Sequence, residues 1–171
     1  MKTILFCLSC AGLLAAPLVH AHISLEQKSA AAGSYQKLTF RVGHGCDGSA
    51  TTGITIMLPE AISGAKPMPK PGWTLANGAR EIAWRGGPLP DSQYDEFSMW
   101  LKLPDAPGKQ AFKVIQQCEK GRAEWSELPG VPGMSGKYPA PVLDILPAAA
   151  TGPMAMPGAA PSPVPAPAHQ H

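Results

Sequence analysis

Apolar residues recur at every second position through most of the chain between residues 22 and 130. In YQKLTFRV, Leu38, Phe40 and Val42 fall on one face; in TGITIML, Ile54, Ile56 and Leu58 do. REIAW carries Ile82 and Trp84 in the same way, and DEFSMWLKL carries Phe97, Met99, Leu101 and Leu103. QAFKVIQQC and RAEWSEL continue the pattern. A period of two is the signature of a strand with one buried face, whereas helical spacing is scarce here. Clusters rich in glycine, proline and aspartate separate the runs: AAGS, HGCDGS, KPMPKPGW, GGPLPDS, DAPGK and EKGR. Short strands spaced by such turns predict an all-β, antiparallel β-sandwich of the immunoglobulin or cupredoxin type. On it, Met57 and Met99 fall on strands as core filler, and Met68 lies in a loop.

The two ends break the pattern. MKTILFCLSCAGLLAAPLVHA is one lysine, an apolar run and a small-residue site, which reads as a secretory signal peptide over residues 1–21. Val19 at −3 and Ala21 at −1 suit cleavage before His22; a cut after Ala15 or Ala16 competes. A lipoprotein cut before Cys10 fits less well, because CLSC is a poor lipobox. The apolar run is too short for a membrane span. From Pro147 the chain reads PAAATGPMAMPGAAPSPVPAPAHQH, without an aromatic or charged side chain of the acidic or basic kind. Such a segment buries too little apolar surface to offset its ordering entropy, so residues 147–171 are expected to form a disordered tail. One domain, residues 22–146, remains.

Cleavage before His22 would leave two cysteines, Cys46 and Cys118, of the four in the chain. In an exported protein two cysteines predict one disulfide. With a net charge of +2 and no basic run, nothing points to nucleic acid. No Ser-His-Asp or Cys-His constellation and no phosphate-cradling glycine loop of recognised spacing is present, so no hydrolytic or nucleotide chemistry is indicated.

The domain's two histidines are His22 and His44. If HISLEQK and YQKLTFRV run antiparallel about a turn near residues 31–33, His22 stands opposite Val42, with His44 just beyond it. A second hairpin, QAFKVIQQC to RAEWSEL about EKGR, puts Trp125 near the level of Gln116. A Cys46–Cys118 bond would then bring His44, Asp47, Trp125 and the mature N-terminus to one edge of the sandwich. A histidine at residue one offers its α-amine and its imidazole Nδ1 in a single chelate. Nitrogen donors in a tetragonal arrangement suit Cu(II). In the tail, Met154 and Met156 form an MxM pair of soft thioethers suited to Cu(I), and His169 and His171 close the chain as HQH.

The opening HISLEQKSAAAGSYQKLTFRVGHGCDGSATT, together with KPMPKPGWTL, WRGGPLPDSQYDEFSMWLKLP and VIQQCEKGRAEWSELPG, resembles the YcnI-like copper-binding domain family, formerly a domain of unknown function. The resemblance spans nearly all of residues 22–130, and the tail lies outside it. It implies a β-sandwich that binds Cu(II) through a first histidine supplying amine and imidazole, an assisting carboxylate and a nearby tryptophan. His22 matches the histidine and Trp125 the tryptophan. Where members from Gram-positive bacteria carry a glutamate, this chain reads GHGCDG, with Gly45 at or beside that position. His44 is the first substitute and Asp47 the second; the loop, which also carries the cysteine, resembles that of the branch from Gram-negative bacteria. Glu26 shares a strand face with His22 but stands about 13 Å along it.

These readings predict an exported, periplasmic copper chaperone or carrier and not an enzyme. His22, His44 and Asp47 are the metal ligands and Trp125 shields them. Cu(II) sits at the N-terminal site, with Cu(I) at the tail methionines. The expected partners are periplasmic copper chaperones or membrane copper transporters. Two alternatives stand beside it. One is a copper-dependent polysaccharide monooxygenase with His44 as second histidine. The other is a metal-free envelope interaction module using KPMPKPGW as its surface.

Overall fold

The computed structural model describes residues 22–128 and 130–148. The expected signal peptide and the tail residues Met154, Met156, His169 and His171, read as auxiliary copper ligands, lie outside them. Twelve strands and no helix make up the described residues. They are β1 (Ser24–Leu25), β2 (Ser29–Ala31), β3 (Tyr35–Val42), β4 (Thr51–Met57), β5 (Lys66–Pro67), β6 (Trp73–Asn77), β7 (Glu81–Leu89), β8 (Asp95–Lys102), β9 (Gly108–Ala111), β10 (Lys113–Cys118), β11 (Arg122–Trp125) and β12 (Val142–Leu146). One sheet runs β1-β3-β8-β5 and a second β11-β10-β4-β7-β6; a third, β2-β12-β9, has three strands.

Alternation in the sequence becomes two inner faces. Leu38, Phe40, Val42, Ile54, Ile56, Ile82 and Trp84 are wholly buried, and Phe97, Met99, Leu101 and Leu103 nearly so. Aromatic edges lock the layers together: Trp84 on Phe97 at 5.5 Å, Trp73 on Phe97 at 5.0 Å, and Phe40 on Phe112 at 5.4 Å between ring centroids. Edge-to-face pairs of this kind add to the area they bury. The Trp84 indole N–H donates to the Met68 carbonyl at 3.0 Å, so the buried ring has no stranded donor and the KPMPKPGW loop is tied to the core. Within that loop Pro71 and Gly72 (φ 77°) turn the chain back, with the Trp73 N–H on the Lys70 carbonyl, as a type II turn requires.

The all-β sandwich is as expected, but several details differ. HISLEQK is not one strand: it leaves β3 after a last backbone bond from Glu26 to Thr39, and the chain just beyond it pairs again as β2, in parallel with β12. A strand that changes sheets lets one end of the chain close two edges, which period two alone does not reveal. GGPL was expected to turn and instead extends β7. Gly86 and Gly87 are needed there because a Cβ on Gly86 would meet the Gly72 carbonyl oxygen at 2.3 Å and one on Gly87 the Trp73 ring at 2.9 Å. WTLAN and VLDIL form β6 and β12 without a clear alternating signal. Met57 is only half-buried, whereas Met99 is in the core.

Candidate metal centre

The elements that build the site converge at the end of the sandwich where β3 finishes. The β1–β3 ladder pairs Ser24 with Arg41 and Leu25 with Phe40. It is displaced by one residue from the pairing that would set His22 opposite Val42; extended outward, it brings His22 level with Gly43. Ile23 and Leu25 point inward, so His22 and Ser24 take the other parity and remain half-buried. In the second hairpin Trp125 pairs with Val114 and Ala123 with Gln116. This register is two residues from the expected one. A shift of two keeps each side chain on its face, so Trp125 still points inward, and its indole still reaches Gln116.

Between β3 and β4 lies GHGCDGS. Cys46 and Ser49 exchange two backbone hydrogen bonds, and Asp47 (φ 47°) and Gly48 (φ 82°) form the two-residue tip. Positive φ at both central positions is the type I′ hairpin, for which Asp-Gly is a favoured pair. Cys46 bonds Cys118 with Cα atoms 6.0 Å apart, pinning this loop to the end of β10. The Gly45 N–H donates to Asp91 at 2.8 Å. Gly45 itself admits no side chain, since a Cβ would stand 1.8 Å from the Ser49 carbonyl oxygen. A carboxylate cannot be carried at that position on this backbone. Gly45→Ala is therefore expected to lower stability by about 1–3 kcal/mol through overpacking, measured by chemical denaturation; an unchanged midpoint would mean that the loop relaxes freely.

His22, His44, Cys46, Asp47 and Trp125 all line one cavity of about 400 Å³. The sequence-predicted site residues within the described chain are thus brought together. Both imidazoles stand edge-on to Trp125, His22 at 5.8 Å and His44 at 6.3 Å between centroids. Trp125 is buried, and Tyr138 packs on its other side at 5.3 Å. The His44 Nδ1 is bonded to the Gly45 carbonyl, which can only accept, so Nδ1 carries the proton and the Nε2 lone pair is left for a metal. The Nδ1 of His22, the nitrogen that a terminal chelate requires, is shielded from solvent. Asp47 is exposed at the turn tip. Among the described residues no three side chains of the His, Cys, Asp or Glu type converge as a metal cluster. Glu26 is engaged with Arg41 at 2.9 Å, away from the site.

Gln116 is a residue that the sequence reading passed over. It is wholly buried, at an inward-facing position shared with Val114 and Cys118. Its Nε2 donates to the His44 carbonyl at 2.7 Å and to Thr51 Oγ1 at 2.8 Å, and its Oε1 accepts the Trp125 indole N–H at 3.1 Å. The amide orientation is forced: an indole only donates and a carbonyl only accepts. One side chain thereby sets the distance between the His44 loop and Trp125. A polar residue at an apolar position of an alternating strand was the signal available. Gln116→Leu is expected to take a partner from three groups, the His44 carbonyl, the Thr51 hydroxyl and the Trp125 indole N–H, each one left stranded costing about 1–3 kcal/mol. If His44 is a metal ligand, the variant should also weaken copper binding roughly 10–100-fold, as the loss of a ligand-orienting partner does. Denaturation and copper titration of the same variant check both; intact copper affinity would assign Gln116 to stability alone.

Tyr138 had no recognisable signal, because the segment after β11 alternates poorly. It is returned to the site by hydrogen bonds from Ser126 and Glu127 to its carbonyl, both 3.0 Å. The Ser135 hydroxyl donates to Glu127 at 2.6 Å and holds that carboxyl below its ordinary range. Lys137 lies over the Tyr138 ring at 5.0 Å; its interaction with Tyr138 and, more weakly, the Asp47 carboxylate raise its pKa.

The family model for a domain of unknown function, DUF1775, matches residues 22–79 and 74–145. A protein named copper-binding protein CutI, from Bacillus subtilis (strain 168), is 25% identical over 114 residues, 62% of this chain and 55% of the relative. The chain thus spans about half the length of that relative. The crystal structure of an uncharacterized protein from Nocardia farcinica, described as immunoglobulin-like, is 29% identical with a TM-score of 0.64, covering 72% of this chain and 97% of the other. No helix among the described residues is long and apolar enough to cross a membrane.

Proposed function

The chain belongs to the DUF1775 family, and from that premise we propose that it is an exported copper-binding protein, a periplasmic carrier that takes up Cu(II) through its processed N-terminus. The observation that carries the reading is the pair of imidazoles flanking Trp125 at one end of the sandwich. A relative that bears the name of a copper-binding protein supports the metal.

Copper is the cargo. In the precursor the His22 nitrogen is an amide and a poor donor. Removal of the leader turns it into an amine beside Nδ1 of the same residue, and these two with His44 Nε2 give three nitrogens. Nitrogen-rich, tetragonal sites favour Cu(II) over the other divalent ions of its row. Asp47 lines the same cavity from the exposed tip of the turn. Trp125 and Tyr138 wall the site from one side while the sheet edge leaves the other accessible, as a carrier that must release its metal to a partner requires. The partners would be periplasmic copper chaperones or membrane copper transporters. The role is transport rather than catalysis: the chain binds and delivers the ion without turning over a substrate.

Titrating the protein that begins at His22 with Cu(II) is expected to give one equivalent bound per chain, with a tetragonal, nitrogen-rich EPR signal. A signal typical of oxygen donors, or no saturation near one equivalent, would contradict the reading.

A further inference from the structure

One feature of the cavity is unexplained by copper alone: its wall is cationic, with Lys120, Arg122 and Lys137 lining it against the single carboxylate Asp47. Arg122 is partly offset by its ion pair with Glu124 and Lys137 by the nearby Asp47, and Lys120 leaves the wall with a net positive charge. Like charges around a dication oppose its binding. A cationic wall beside a Cu(II) site becomes favourable only with an anion between the two.

The donor count points the same way. The amine, His22 Nδ1 and His44 Nε2 make three, whereas tetragonal Cu(II) takes four equatorial donors. No third acidic or sulfur side chain converges on the imidazoles among the described residues, and Gly45 cannot carry one.

We propose that the cavity is a subsite for a small carboxylate anion, which bridges the Lys120 and Lys137 wall and supplies the fourth equatorial oxygen to the bound Cu(II). This rests on the copper reading above and names the co-ligand of that site. The anion neutralises charge on both sides at once, so metal and anion bind cooperatively, each raising the affinity of the other by the same factor. Loss of the anion in another compartment or on a partner's surface would then loosen the copper.

The probe is ¹³C-labelled malonate added to the copper-loaded protein that begins at His22, in a non-coordinating buffer. The EPR signal is expected to shift saturably, with ¹³C hyperfine coupling to the copper. In Lys120→Gln/Lys137→Gln the malonate affinity should fall roughly tenfold, the size of two nearby charges in a watery dielectric. Copper affinity measured without malonate should stay the same or rise in that variant, because two repelling charges are gone. This opposite pair of signs separates an anion site from general damage, and both lysines are exposed. A nitrogen-rich copper signal that malonate leaves unchanged, or equal malonate affinity in both proteins, overturns the anion subsite while the copper reading stands. Absence of the nitrogen-rich signal before malonate is added overturns the copper reading itself, and the subsite with it.

Discussion

Converting Cys46 and Cys118 together to alanine is expected to lower the unfolding free energy by about 4 kcal/mol, on the loop-closure estimate for a chain of this separation. The bond spans 72 residues, from the loop after β3 to the end of β10, and so restricts a large part of the unfolded chain. With a urea dependence of about 1–3 kcal/mol per molar, the midpoint should fall by roughly 2 M. The effect reaches the site. His44 stands two residues from Cys46, and its carbonyl is held by Gln116, two residues from Cys118. Without the crosslink the loop keeps its Asp-Gly tip and the Gly45 bond to Asp91 but loses its covalent anchor. Copper affinity should fall along with stability. A midpoint within a few tenths of a molar of the parent would mean that hydrogen bonds alone fix the loop.

His44→Ala is the second large effect, this time on function. If His44 Nε2 is a ligand, its removal should weaken Cu(II) binding by at least about 100-fold, the upper end of what losing a mere orienting partner costs. Stability should change little, because His44 is half-buried and its carbonyl, the atom that Gln116 holds, is retained. The EPR signal should lose one nitrogen coupling. Unaltered affinity would confine the site to His22 and a carboxylate such as Asp47.

Much of this architecture was legible in the chain. Leu38, Phe40 and Val42, or Ile54 and Ile56, can alternate only if one face is buried, and all five are. The convergence of His22, His44, Asp47 and Trp125 followed from two hairpins and one disulfide, and it tolerated errors of one and two residues in register because the hairpins fix which end of the sheet each residue reaches. Less was readable where a residue's position depends on partners remote in sequence. The chain's change of sheet at Gln27 and Lys28 is set by β12, more than a hundred residues on. Gly86 and Gly87 looked like a turn, but they are small because Trp73 and the Gly72 carbonyl lie against them. Gln116 was visible as a misplaced polar residue. Tyr138 was not visible at all, since backbone bonds to Ser126 and Glu127 bring it in.

The central claim is that an amine created at His22 binds copper, and adding one alanine before His22 tests it most directly. The addition turns the amine into an amide and leaves every side chain in place. Cu(II) titrations followed by EPR on the two proteins are expected to give tight, nitrogen-rich binding when His22 is first and its loss when alanine precedes it. Equal affinity and identical spectra would contradict the claim and move the site to His44 and side chains alone.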